Sequence, residues 1–267
     1  MIRNPVVAGQ FYPDSPSLLN HYLERYIPKG VPKEAALGAV VPHAGYMFSG
    51  GVAGAVYAKL DIPDTIIILG PNHTGIGAAF ALMDKGIWKT PLGNVPINET
   101  LAQLILSETD LLTSDLAAHQ YEHSIEVQLP FLQYLKNDFS FVPITLTHTW
   151  YSNCELLGEV IARAIKKFGE PVLIIASSDM THYEPHEKAK AKDSLAVNRI
   201  LALDPGGLYE TVHTQKITMC GVIPTAVMLQ VTKLLGAKEA ELIAYATSGD
   251  ISGDYGSVVG YAGIIVK

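Results

Sequence analysis

The chain has 267 residues, 48% of them apolar and 17% charged, and a formal charge of −7. That composition suits a core covered on both faces and excludes extended disorder, while the acidic balance excludes the basic stripe that non-specific nucleic-acid binding requires. No apolar run reaches the length of a membrane span, and the start, MIRNPVVAGQFYPDS, lacks the basic-then-apolar pattern of a signal peptide. A cytoplasmic protein is expected, and in a reducing compartment no disulfide is expected between its two cysteines, Cys154 and Cys220.

Hydrophobic periodicity predicts a helix over 17–26, a strand over 39–42, a helix over 49–60 and a strand over 65–69. A strand over 78–83 opens a candidate hairpin reaching 97, with turns at 84–86 and 92–94. Helices are then predicted over 100–108 and 124–136, a strand over 139–144, a helix over 153–168 and a strand over 172–176. Helices over 186–203 and 224–235 and strands over 241–247 and 258–266 complete the chain. Several strands are continuous apolar runs, as in a sheet buried on both faces, so the expectation is a three-layer α/β/α fold whose sheet is largely parallel, and mixed if 78–97 is a hairpin. No repeat, heptad run or linker divides it, and residues 1–267 are read as one domain. Ser152 and Glu155 fit a capping box, Gly169 a helix stop and Pro224 a first helical turn.

The chemistry-bearing residues follow the strand-like runs. GAVVPHAGY and TIIILGPNHTG place His43 and His73 in turns after strands, and ITMCGVIPT places Cys220 before a helix. In open α/β sheets ligands bind beyond the carboxyl ends of the strands. Converging, the three residues offer a metal two nitrogens and a thiolate; singly, each has a plainer reading, a hydrogen-bonding turn histidine or a small buried thiol. A helix N-terminus would favour the thiolate of Cys220. The segment SSDMTHYEPHE adds Asp179, His182 and His186, and one helical turn would put Asp179 and His182 on the same side, the acid steering the ring; an Asx-turn with a solvated His182 is the alternative. Glu122, His123 and Glu126 are read as opening the helix 124–136, where the acids need be no more than first-turn charges. The loop SGDISGDYGS (248–257) is a candidate lid. No phosphate-binding glycine motif is present, so nothing here points to a nucleotide.

Seven segments in order, AGQFYP, VPHAGYMFSG, GPNHTG, EHSIEVQLPFLQ, SSDMTHY, MCGVIPT and SGDISGDYGSVVGYAG, resemble the signature blocks of the Memo-like proteins, also called the AmmeMemoRadiSam system protein B group. The resemblance runs nearly end to end. It implies a fold similar to the class III extradiol dioxygenases, which use non-haem ferrous iron. It also implies metal-site positions at His43, His73 and Cys220, with Asp179 and His182 as further site residues and His123 in the pocket. A cysteine stands where those dioxygenases have a carboxylate, shifting preference toward copper(I), zinc or thiolate-bound iron; fold similarity does not carry ring cleavage with it. Three functional readings follow. One is a redox protein using iron(II) or copper, with His182, Asp179 and His123 serving catalysis on an unknown small molecule. Another is a peptide- or protein-binding module, as the animal members' association with cell-motility signalling implies. The third is a Cys–His hydrolase with Cys220 as nucleophile. The family name further implies AMMECR-type and radical-SAM proteins as pathway partners.

Overall fold

A computed structural model describes residues 1–267. In chain order its elements are β1 (Ile2–Arg3), α1 (Pro16–Tyr26), β2 (Gly38–Val41), α2 (Tyr46–Lys59), β3 (Thr65–Pro71), β4 (Phe80–Leu82), β5 (Ile87–Thr90) and β6 (Gly93–Pro96). Next come α3 (Glu99–Ser107), β7 (Thr113–Ser114), α4 (Ala117–Gln120), α5 (Leu129–Leu135), β8 (Ser140–Leu146), α6 (Tyr151–Phe168), β9 (Val172–Ser177) and β10 (His182–Glu184). The chain ends with α7 (His186–Leu201), α8 (Pro205–Thr214), α9 (Val222–Leu234), β11 (Ala240–Thr247), α10 (Gly249–Ser252) and β12 (Val258–Val266).

The continuous apolar runs do form buried strands: every residue of β2, β3 and β9 is buried. They sit at the centre of a nine-stranded sheet in the order β10-β12-β2-β9-β3-β8-β4-β7, with β11 on β12. The pairs from β2 through β9 and β3 to β8 are parallel, whereas β12, β11, β10 and β4 join antiparallel, so the sheet is mixed. Two glycines show that both faces are covered. A Cβ on Gly38 would lie 2.6 Å from Met228 Sδ in α9, and one on Gly263 would lie 2.5 Å from Val56 in α2. Val266 pairs with Gly38 and lies three residues from Gly263, so the two glycines face opposite sides. α9 with α3, α6, α7 and α8 forms one layer, and α1, α2 and α5 the other. The result is a three-layer α/β/α fold.

Several expectations need correcting. The 78–97 segment is no single hairpin: β4 joins the main sheet, while β5 and β6 pair with each other and with β1 in a separate three-stranded sheet. α6 begins at Tyr151 with Trp150 as N-cap and no side-chain cap, so Ser152 lies inside the first turn and forms no capping box. Gly169 does end that helix, at φ 77°. α8 and β10 were not anticipated. Residues 124–136 are not one helix; a short 3-10 turn at Glu126–Gln128 leads into α5.

Candidate metal centre

Each of the three central strands runs two residues past its end to a functional side chain: His43 after β2, His73 after β3 and Asp179 after β9. Since β9 lies between β2 and β3, register alone gathers these side chains at one rim. The turn at Glu122–Ser124 joins them by docking on β3: Ser124 Oγ donates to Pro71 O at 2.9 Å, and a Cβ on Gly70 would lie 2.5 Å from that hydroxyl oxygen. Cys220, just ahead of α9, completes the group.

The histidines converge. The ligand atoms of His43, His73 and His123 lie within 4.8 Å of one another. Their ring centres are separated by 5.2 Å for His43–His73, 5.7 Å for His43–His123 and 4.9 Å for His73–His123. Imidazoles sharing one ion through nitrogens about 2.0–2.1 Å from it have ring centres roughly 4.5–5.5 Å apart; the two pairs that include His73 meet this, and His43–His123, at 5.7 Å, lies just beyond it. Cys220 Sγ stands 3.2 Å from His43 Nε2, beside this set rather than within it.

The hydrogen-bond network fixes which nitrogens are free. Ser177 Oγ donates its one proton to Ser124 O at 2.6 Å, so at 3.0 Å it accepts from His43 Nδ1. His43 Nε2 is therefore the bare nitrogen. Glu122 Oε1 accepts from His73 Nδ1 at 2.9 Å, and Thr218 O accepts from His182 Nδ1 at 2.9 Å, which leaves Nε2 free on both. A carboxylate or carbonyl behind the ring is the usual support of a metal-binding histidine.

Glu122 organises the centre. Its carboxylate also accepts the backbone N–H groups of His73, His123 and Ser124. Those local bonds replace a helical start, which is why residues 122–125 form a turn. Burial would raise the Glu122 carboxyl, but the hydrogen bond and charge of His73, with the Ser124 amide, hold it at about 2. Burial pulls the His73 ring down, and the Glu122 bond and charge outweigh it, leaving the ring raised. His43, only 2% exposed, is held well below the ordinary histidine range by burial and then by the neighbouring His73. His123 is lowered, again chiefly by burial.

Asp179 and His182 do not share a helical turn; the chain between them leads into β10. Asp179 Oδ1 accepts the His43 N–H at 2.8 Å, so the acid positions His43 rather than steering His182. Burial raises the Asp179 carboxyl, partly offset by that amide. The Cys220 thiol is not biased toward thiolate: burial, then the charge of Asp179, pushes it well up. It accepts the Asp179 N–H at 3.3 Å. Both cysteines are free thiols.

A cleft of about 280 Å³ opens over these residues, with Phe11, Tyr183, Val259 and Tyr261 among its walls. Neither lysine nor arginine lines it, and no residue of the 248–257 loop does, so that loop is not its lid. Instead Gly249–Ser252 makes a short helical turn, and Tyr255 packs on His186, ring centres 5.0 Å apart. His186 points its Nδ1 to Thr247 Oγ1 at 3.0 Å and takes no part in the cleft. Tyr183 adopts φ 59°, costly for an aromatic residue, at the register shift between β10 and β12. Two larger depressions, of about 510 and 420 Å³, lie at the opposite end of the sheet and gather no histidine or cysteine.

Sequence reasoning missed how the N-terminal segment walls the site. Glu126, fully buried, accepts from Arg3, from the Val6 and Val7 N–H groups and from Tyr12 OH. This strap brings Phe11 against His123, ring centres 4.8 Å apart. Glu126 is thus more than the first-turn charge its sequence context suggests; the apolar AGQFYP segment, opening five residues past a lone Arg3, is the signal the sequence offers.

The fold and cleft define an α/β protein whose strand-end turns build a histidine-rich, metal-compatible centre. The sequence model of the Memo-like proteins matches residues 3–265, and the chain belongs to that family. It is 45% identical to a MEMO1 family protein of Methanopyrus kandleri, covering 100% of this chain and 99% of the relative. It is 42% identical to one of Methanothermobacter thermautotrophicus, covering 98% and 99%. Among solved structures, an uncharacterized protein of Escherichia coli K12 shares the fold with TM-score 0.56 at 15% identity, covering 85% of this chain and 98% of that one. No helix is long and apolar enough to cross a membrane.

Proposed function

We propose that this chain is a cytoplasmic metal-dependent redox protein acting on a small molecule bound in the cleft. The observation that carries the reading is the convergence of three imidazoles with free or freeable nitrogens on one rim. His43 and His73 are the common ligands. Cys220, beside His43, supplies the third once its proton leaves, and His123 backs the pair. A mixed imidazole–thiolate set favours copper or iron over hard cations such as magnesium. When bound, such an ion supplies one-electron chemistry and an electrophilic centre. The chain's own residues then hold the bound molecule between Phe11 and Tyr261, while His182 Nε2 accepts or returns a proton at the rim. Asp179 keeps the His43 turn in place.

The test is elemental analysis with electron paramagnetic resonance after anaerobic loading with ferrous iron or copper. With ferrous iron about one ion per chain is expected, lost in His43→Ala and with an altered spectrum in Cys220→Ser. Ion content that is sub-stoichiometric and indifferent to both substitutions would overturn the reading. His123→Gln separates the third-ligand roles: a spectrum changed by this variant and not by Cys220→Ser assigns that place to His123.

A second reading, a binding cleft without turnover, rests on Tyr183, which is strained, 78% exposed and set at the mouth. Peptides, or the AMMECR-type and radical-SAM proteins associated with the family, would be its partners. Partners retained after chelation would favour it; metal-dependent oxygen uptake would count against it.

A further inference from the structure

The rim that carries the cleft also carries a second pair of imidazoles. β3 and β8 pair in register through Pro71 and Leu146, and each chain runs two residues further to a histidine, His73 and His148. His148 faces His213 near the end of α8, the ring centres 5.1 Å apart and the planes inclined at 47°. Both residues are exposed. No carboxylate lies within ion-pair range of either, so the approach is not that of a salt-bridged cluster.

The pair is braced from behind. His213 Nδ1 donates to Tyr209 O at 2.7 Å, which leaves Nε2 with its lone pair outward from that bond. The Tyr209 ring packs on His213 with centres 4.1 Å apart, and its hydroxyl donates to Thr149 O at 3.0 Å, next to His148. One tyrosine thus ties α8 to the turn after β8 and fixes the spacing of the two imidazoles. His148 spends neither ring nitrogen on a protein hydrogen bond. A separation of 5.1 Å falls within the roughly 4.5–5.5 Å at which two imidazoles can share an ion.

We propose that His148 and His213 form a second, surface metal site, for a borderline divalent ion of the zinc, nickel or copper(II) class, with water completing the coordination. Imidazole suits these ions, and the absence of oxygen ligands disfavours calcium and magnesium. The site is independent of the ion held at the central cleft.

The chain supplies its own reporter. Of its two tryptophans, Trp150 lies two residues from His148 and is 78% exposed, whereas Trp88 is fully buried. Copper(II) or nickel(II) is titrated into the full-length protein while tryptophan emission is followed, with zinc as a non-quenching competitor. Saturable quenching that zinc reverses is expected. His148→Ala and His213→Ala should each weaken it about tenfold or more, whereas His43→Ala should leave it unchanged. Trp150→Phe should remove the signal while calorimetry still counts the same zinc equivalents. Quenching that does not saturate, that survives both alanine variants, or that disappears in His43→Ala would overturn the proposal. Because both histidines are exposed, their replacement leaves the folded core intact, and loss of binding reports the site.

Discussion

At the scale of single residues, Glu122 decides whether three histidines make a centre. Its two oxygens accept from one ring nitrogen and three backbone amides, so the charge is spent on orientation. Glu122→Gln places an amide NH₂ toward N–H donors and removes the charge behind His73. A loss of about 10–100-fold in ion affinity is expected, the usual cost of losing an outer-shell carboxylate. Equilibrium dialysis checks it, with a near-ultraviolet spectrum to show that the fold is retained; unchanged affinity would remove Glu122 from its assigned role. His119 makes a different prediction. It is fully buried, and neither ring nitrogen has a partner. Burial, then the nearby Arg3 charge, holds it at about 3. The unfolded ring takes its proton near the ordinary value, about 6.5. Between those values the unfolded state binds the extra proton, so stability falls as pH falls, by about 1.4 kcal/mol per pH unit. Urea unfolding at pH 7 and pH 5 should therefore show a shallower loss in His119→Phe than in the natural chain. Equal slopes would mean that the buried ring already carries its proton.

At the scale of elements, the N-terminal strap shows what a local pattern cannot reveal. Arg3 and Glu126 form a buried ion pair across 123 residues, and Arg3 also donates to the carbonyls of His119 and Glu122. Hydrophobic periodicity reads neighbours, so it predicts one helix over 124–136 and gives Glu126 no more than the role of a first-turn charge. The strap's own demand for an acceptor at Val6, Val7 and Tyr12 turned that residue inward. The same limit hid the 122–125 turn and the Thr218 carbonyl that orients His182. What was legible came from short-range signals: apolar runs, and the Gly, Pro or polar residues that end them. Arg3→Met should cost about 3–5 kcal/mol in denaturant unfolding, because Glu126 is then buried with its charge uncompensated. Adding Glu126→Gln should recover part of that loss. A double variant as unstable as the sum of the singles would show that the two residues act separately.

At the scale of the whole molecule, the centre draws its candidate ligands from separate parts of the chain: the ends of β2 and β3, the turn before α5 and the turn before α9. That arrangement explains why the positions His43, His73, Asp179 and Cys220 could be picked out singly from the sequence. The place of His123 inside the imidazole set could not. It depends on β3 register, on the close approach at Gly70 and on Glu122, all contacts between distant segments. It also has a thermodynamic consequence. An ion that binds only when these segments are assembled stabilises the folded state by RT ln(1 + [L]/Kd), about 2.7 kcal/mol at a hundredfold excess over Kd. For a chain of this size that is a rise of roughly 5 °C in Tm. The part of the rise due to the central ion should be lost in His43→Ala and kept in His148→Ala, which removes only what the surface pair adds. Scanning calorimetry of the metal-free and loaded protein decides it. A Tm that does not move on loading, while elemental analysis finds the ion bound, would mean that the ion binds the unfolded chain equally well and that the strand-end turns are not its preorganised seat.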